Sequence, residues 1–317
     1  MSNMLQSPPS DLPEQLVPSV SPEAGCHEVT EKYVATREQI LASFSPENLK
    51  WSNVSWHVVA WMALIHVGAV AALFFFTWQA VAVALVLHWF TCSIGICLTY
   101  HRALSHRSFK LHGPAKVLGL YAAAVCAEGS PLRWSMVHRI HHSHSDEPGD
   151  PHSPLEGPWW SHLLWMFVHQ DAALEKSAYD QYVPDLQKDK TVMFFERFWF
   201  VIMLATAAGL YAWGGLSMFL WAVCFRMTLA YHSTWFVNSA THLWGYRNYQ
   251  TTDESRNLWW VAILSYGEGW HNNHHAHPRI ARAGHRWFEF DPTWQAIKLL
   301  RSVGLATEVV DRLPSRG

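Results

Sequence analysis

Charge is what this chain has least of. Of its 317 residues only 15% are Asp, Glu, Lys or Arg, and 23 bases against 25 acids leave a net charge of −2. With no basic surplus to neutralise phosphates along a polymer, the chain is not a nucleic-acid binder. Cysteine is equally sparse. The five present (Cys26, Cys92, Cys97, Cys126 and Cys224) are odd in number, form no C-x-x-C and sit mostly in apolar segments. They exclude a disulfide framework or a zinc ribbon and read as small buried hydrophobes. The sequence also lacks the C-x4-C-x2-C run of a ferredoxin, and the segment after His285 is too short for a haem domain. Electrons for any redox chemistry are therefore expected from a separate partner.

What abounds is hydrophobic and imidazole side chains. Half the residues are apolar, 19 are Trp and 21 are His. Tryptophan favours the boundary between hydrocarbon and water, so this balance points to an integral membrane protein. From Trp51 to His101 runs a stretch of 51 residues without a formal charge other than imidazole. A hydrocarbon core about 30 Å thick takes roughly 20 residues of helix, so the run predicts two crossings joined by a tight turn. A second apolar block from Phe198 to Tyr246 contains Arg226 as its only charge and is divided by Gly214 and Gly215. Arg226 is costly in lipid and is expected to face the bundle or a partner. Four crossings follow, over 54–77, 79–100, 195–213 and 216–240.

Basic residues flank these crossings on one side: Arg102, Arg107, Lys110 and Lys116, then Lys188, Lys190 and Arg197, then Arg247 and Arg256. By the positive-inside rule both hairpins enter from the cytosol, leaving 101–197 and 247–317 there. The stretches 114–127 and 159–168 are too short to span, and the second reads as an interfacial helix. Residues 1–25, rich in Pro and Ser, read as a disordered tail, 26–50 as a cytosolic segment, 51–310 as the folded domain and 311–317 as a C-terminal tail. The start lacks the pattern of a signal peptide, which places both termini in the cytosol. The expected fold is all-α: four transmembrane helices in two hairpins under a histidine-rich cytosolic cap.

The pattern H-x-x-H-H occurs twice, as His138, His141 and His142 and as His271, His274 and His275. Positions i, i+3 and i+4 share one helix face, so each triplet can aim its imidazoles at one small volume. His101 and His106 are five residues apart, roughly 140° around an α-helix. Both reach one cluster only if the helix frays, or they serve different metal ions. His242 follows the fourth crossing and Asn238 lies one turn before it. Nine imidazoles suit Fe, Zn or Cu and are enough for two ions, whereas a single structural zinc takes four ligands.

The segments that hold these histidines resemble the membrane-bound fatty-acid desaturases, and among them the Δ9 type. Thr99–Phe109 (TYHRALSHRSF) is similar to that family's first box, HRIHH with the following DPHSP to its second, and GEGWHNNHH to its third; NSATHL is similar to the segment that supplies a further ligand. The resemblance spans roughly residues 50–310. It implies two iron ions (Fe2+/Fe3+), O2 and two electrons from a ferredoxin or cytochrome b5 type donor. It assigns His101, His142, His242, His271 and His275 to one iron and His106, His138, His141 and His274 to the other, with Asn238 acting through a water. Trp134, Thr234 and Trp235 are candidates to line an acyl tunnel. Asp146, Asp150 and Glu268 are candidates to orient imidazoles from behind.

Animal acyl-CoA desaturases carry an Arg-Asp pair before the second box, where this chain has Met136 and Val137. The stretch 150–162 is more similar to cyanobacterial and plant enzymes acting on glycerolipids. The implied activity is insertion of a cis double bond, Δ9, into an acyl lipid ahead of an acyl-CoA, in membrane lipid, with a bacterial inner membrane as the expected host. A hydroxylase on the same cluster, and more distantly a non-catalytic metal or haem binder, are the alternatives.

Overall fold

A computed structural model describes residues 34–313, and the expected tail of residues 1–25 lies outside them. The described chain is helical apart from a two-residue antiparallel ribbon, β1 (Lys110–Leu111) with β2 (Ala306–Thr307). A short α1 (Arg37–Ala42) opens with a capping box in which Thr36 accepts from Gln39 N and the Gln39 side chain accepts from Thr36 N. After it come α2 (Trp56–Ala72) and α3 (Trp78–Trp89), the latter capped by the Thr77 hydroxyl accepting from Ala80 N. The α3 axis continues without a break as a π-helix over Phe90–Ser105.

Its length is one departure from expectation, since the helix runs to Ser105 and carries the first histidines on its last turns. The close approach of α4 (Gly113–Cys126) explains how it packs. A Cβ on Gly95 would collide with the Ala123 backbone, and one on Gly119 with the Thr99 hydroxyl, so two glycines let the helices touch. Next come α5 (Pro131–Ser143), the short α6 (Pro158–His162) and α7 (Ala172–Tyr182). The expected 159–168 helix is thus α6 followed by a 3-10 turn at Leu164–Phe167.

The helix α8 (Lys190–Phe219) starts on an Asp189 cap and bends at Gly215, whose φ of 65° only glycine adopts without strain. Through a π-turn (Leu220–Phe225) it passes into α9 (Arg226–Asn238) and α10 (Ala240–Leu243). Together these make a helical run of 54 residues, whose straight length of about 80 Å far exceeds one bilayer core. The bend at Gly215 divides it in two. Among the described residues, Trp78–Ser105 and Lys190–Leu243 are the two helices long and apolar enough to cross a membrane. Leu64, Val67 and Val70 on α2, Leu85 and Val86 on α3, and Val201 and Leu204 on α8 are all exposed, a girdle of apolar surface that water would penalise.

Arg226 is buried inside the bundle, where it donates to Val125 O at the end of α4 and to Ala222 O. The chain closes with α11 (Trp259–Leu264), α12 (His271–Ala276) and α13 (Pro292–Ser302). Two distant acids fix the histidine-bearing segments. Glu196 of α8 accepts from Leu132 N at 2.9 Å, completing the N-terminus of α5 beside the Ser130 cap. Glu289 accepts from the buried Asn273 amide at 2.7 Å and so pins α12 from below.

Candidate metal centre

Four elements bring the nine histidines together: the π-helix end, α5, α10 and α12. Ligand-capable nitrogens of His101, His106, His138, His142 and His274 lie within 4.8 Å of one another, and so do those of His141, His242, His271 and His275. This grouping differs from the division between two irons that the family resemblance implies: His101 and His142 lie with His106, and His141 lies with His242, His271 and His275. The π-helix supplies the reason. Its hydrogen bonds run from i+5 to i, so a five-residue spacing returns to the same face. His106 N donates to His101 O at 3.1 Å, and the two rings sit 4.8 Å apart.

The nitrogens crowd in a way that hydrogen bonds alone do not satisfy. His274 Nε2 lies 3.0 Å from His101 Nε2 and 2.9 Å from His142 Nε2. In the second cluster His141 Nδ1 is 2.9 Å from Asp150 Oδ1, and His275 Nδ1 is 2.5 Å from Asp253 Oδ2. Each carboxylate accepts a hydrogen bond from Nδ1–H, so in the neutral ring the Nε2 lone pair is bare, and the two Nε2 atoms face each other 3.4 Å apart. His242 repeats the arrangement, with Nδ1 at 2.8 Å from Asp146 and Nε2 at 3.1 Å from His271 Nε2. Opposed lone pairs repel; a shared cation turns the repulsion into coordination. The donor set therefore fits a nitrogen-preferring transition metal.

Protonation favours neutral rings at six of the nine histidines and the charged form at His141. Burial, followed by the charge of neighbouring imidazoles, holds His106, His138, His142, His271 and His274 well below the usual histidine range. Burial likewise lowers His275 to about 4 despite the Asp253 hydrogen bond. Burial also lowers His141, but the charge and hydrogen bond of Asp150 outweigh it and leave this ring raised. Burial works to raise Asp146, Asp150 and Asp253, yet the imidazole partner of each leaves all three below the usual carboxylate range. Glu268 is lowered too, with Arg102 and then His101 overcoming burial.

All three acids singled out in the sequence stand beside a histidine. Glu268 Oε2 is 2.9 Å from His101 Nδ1, close enough for an ion pair though outside hydrogen-bond alignment. Its other oxygen accepts from Arg102 Nε at 3.0 Å, and Arg102 makes a two-pronged contact with Asp291. Asp253, Arg102 and Asp291 escape a reading of the sequence. The one available signal for Asp253 is scarcity, since it and Glu254 are the only acids between Glu196 and Glu268.

A narrow cavity of about 40 Å³ reaches the clusters from the apolar side, touching His101, His138, His141 and His271. Of the expected wall positions Trp134 and Thr234 line it and Trp235 does not; Asn238, expected to act through a water, lines it too. Adjacent helix residues diverge by roughly 100°, so Thr234 and Asn238 face inward while Trp235 stacks on Tyr231. Glu128, unnoticed in the sequence, accepts from Thr234 Oγ1 at 2.8 Å and Trp134 Nε1 at 3.2 Å. Burial pushes its carboxyl up to about 7.

Comparison with known proteins agrees with this geometry. The family model described as "Fatty acid desaturase" matches residues 76–299. The chain is 41% identical over 273 residues to the sn-2 palmitoyl-lipid 9-desaturase of Nostoc sp., covering 86% of this chain and 96% of that one. It is 41% identical to the sn-1 stearoyl-lipid 9-desaturase of Anabaena variabilis, over 81% and 94% of the two chains. Against the chloroplastic palmitoyl-monogalactosyldiacylglycerol delta-7 desaturase of Arabidopsis thaliana the identity is 42%, over 84% and 71%. With the histidines converged and the match covering most of its length, this chain belongs to the fatty acid desaturase family and is an oxidoreductase of the desaturase class.

Proposed function

We propose that the protein inserts a cis double bond, at Δ9, into a saturated acyl chain carried on a glycerolipid, using two iron ions held by the nine histidines. The opposed lone pairs of His141 and His275, each with its Nδ1 claimed by a carboxylate, carry this reading. His101, His106, His138, His142 and His274 would hold one ion, and His141, His242, His271 and His275 the other. Asn238, on the cavity wall, would act through a water. Bound iron would supply the O2 activation needed to take hydrogen from an unactivated methylene, which redox-inert zinc does not offer.

The balance is one saturated chain, O2, two electrons and two protons giving one double bond and two waters. No residue need act as acid or base on the chain itself; the protein's work is placement. Trp134 stacks on His138 with ring centroids 5.0 Å apart, so the wall of the apolar cavity and the first cluster move as one piece. Glu128 fixes that wall by bonding both Trp134 and Thr234.

The acyl-lipid reading is supported by the relatives in Nostoc and Anabaena and by Met136 and Val137, both buried and without charge for a CoA phosphate. A reading of four crossings, α2, α3 with its π-helix, and the two legs either side of Gly215, is supported by the apolar girdle and that bend. The basic loops put the histidines on the cytosolic side. Electrons come from a separate ferredoxin or cytochrome b5 type donor.

The test is gas chromatography with mass spectrometry of total fatty acids from a host expressing the chain with a suitable reductase, after derivatisation that locates double bonds. New monounsaturated palmitoyl or stearoyl chains with unsaturation at carbon 9 are expected. Hydroxylated chains would overturn desaturation in favour of oxygen transfer by the same cluster.

A further inference from the structure

A second cavity approaches the histidines from the polar side. It measures about 340 Å³ and shares no residue with the apolar one. His142 of the first cluster and His275 of the second both line it, their rings 4.5 Å apart. Apart from Ala276 and Pro278 its remaining wall is hydrophilic, with Asp253, Thr251 and Glu147 contributing and Gln250 and Thr252 at its exposed edge. Between them the two cavities touch six of the nine histidines, one through apolar side chains and the other through polar ones.

The chemistry proposed above needs both kinds of access. Each turnover consumes two protons and releases two waters, while a seated acyl chain fills the apolar side and offers neither a path. A wet cavity lined by hydroxyls and carboxylates costs water little to occupy, whereas an apolar one of the same size stays dry. We infer that the polar cavity is the aqueous port of the metal centre, through which water and small hydrophilic solutes reach and leave it without crossing the acyl site. The inference rests on the two-metal reading and adds to it a division of labour: lipid on one face, water on the other.

Gln250 and Thr252 suit a test, because their side chains make no hydrogen bond among the described residues and neither is a candidate ligand. Iron-loaded, full-length protein in membranes is exposed to ferrozine, a sulfonated chelator that does not cross lipid, with and without acyl lipid. Wild type is expected to lose iron at a rate that acyl lipid does not change. The double variant Gln250→Trp, Thr252→Trp should hold the same iron but release it at least fivefold more slowly, with kcat reduced and KM for the acyl lipid unaltered.

A second handle avoids any question of folding. Thr252→Cys in a Cys26→Ser background leaves the other four cysteines buried. Modifying it after assembly with a sulfonated methanethiosulfonate should slow the same iron release. Unchanged release after plugging and modification, or release that acyl lipid blocks, would overturn the port. Wild-type protein that holds no iron at all would overturn the metal reading and the port with it.

Discussion

The two histidine clusters differ most in the acids behind them. The five-imidazole cluster has one adjacent carboxylate, Glu268, whose charge is already shared with Arg102. The four-imidazole cluster has three, Asp146, Asp150 and Asp253, each on the Nδ1 of a separate ring. A carboxylate on Nδ1 fixes the tautomer and makes the opposite nitrogen a stronger donor. On the two-metal reading the two sites are thus built unequally, the second to hold positive charge firmly and the first to hold it loosely. The looser cluster is also the one whose His138 packs against the cavity wall through Trp134.

Removing a ring should erase the distinction altogether. His138→Ala in the first cluster and His271→Ala in the second are both expected to lower product formation by more than about 100-fold, beyond what the loss of an outer partner costs. Iron content should fall toward one ion per chain in each, with the protein still inserted in the membrane. Undiminished product from either variant, measured by gas chromatography, would remove that histidine from the ligand set.

Removing a carboxylate should sharpen the contrast. Asp253→Asn is expected to weaken metal binding at the second cluster by about 10- to 100-fold. Glu268→Gln should weaken the first by less, about tenfold at most, because Arg102 already offsets its charge. Competition with a graded series of chelators measures both. Equal losses in the two variants would mean that the acids orient the rings without setting their affinity.

Protons probe the same inequality in the metal-free protein. His275, at about 4, and five more rings below the usual range take up protons less readily folded than unfolded. Below about pH 6.5 the unfolded chain therefore binds more protons, and the stability present above that pH is lost as the pH drops through the folded values. His141, raised by Asp150, runs the other way: its contribution is present below about pH 6.5 and is lost as the pH rises through its folded value. Thermal unfolding between pH 7 and 5 should show net destabilisation of the metal-free protein and a much weaker trend once iron is bound.

How much of this was legible in the sequence depends on how local each contact is. The imidazole triplets could be found because a five-residue window on an α-helix fixes which rings meet. The apolar runs announced the long helices for a similar reason. The grouping of the nitrogens was not legible, because it turns on a π-helix that no simple periodicity marks, whereas a 100° step per residue turns His106 away from the face of His101. Trp235 failed as a cavity residue by a single helical step. Asp253 and Asp291 reach their partners over 22 and 189 residues, spacings that only the assembled fold brings to hydrogen-bond distance.

The smallest expected effect lies at the junction of the first cluster with the apolar cavity. Glu128 receives hydrogen bonds from the Thr234 hydroxyl, the Trp134 indole and, weakly, the Cys126 thiol at 3.5 Å. With its carboxyl at about 7, it is half neutral near physiological pH, so its charge is not what the wall depends on. A glutamine keeps an oxygen for the indole, and its amide can donate to a rotated Thr234 hydroxyl. Glu128→Gln should therefore change activity by no more than about twofold, on the order of 0.4 kcal/mol. Glu128→Ala leaves the buried indole N–H and hydroxyl without partners, a cost of about 1–3 kcal/mol for each group. It should loosen Trp134 and broaden double-bond position and chain length in the product profile, with iron at both clusters retained. An Ala variant with an unaltered product profile would separate the cavity wall from the first cluster, and the link between loose metal and placed substrate would dissolve with it.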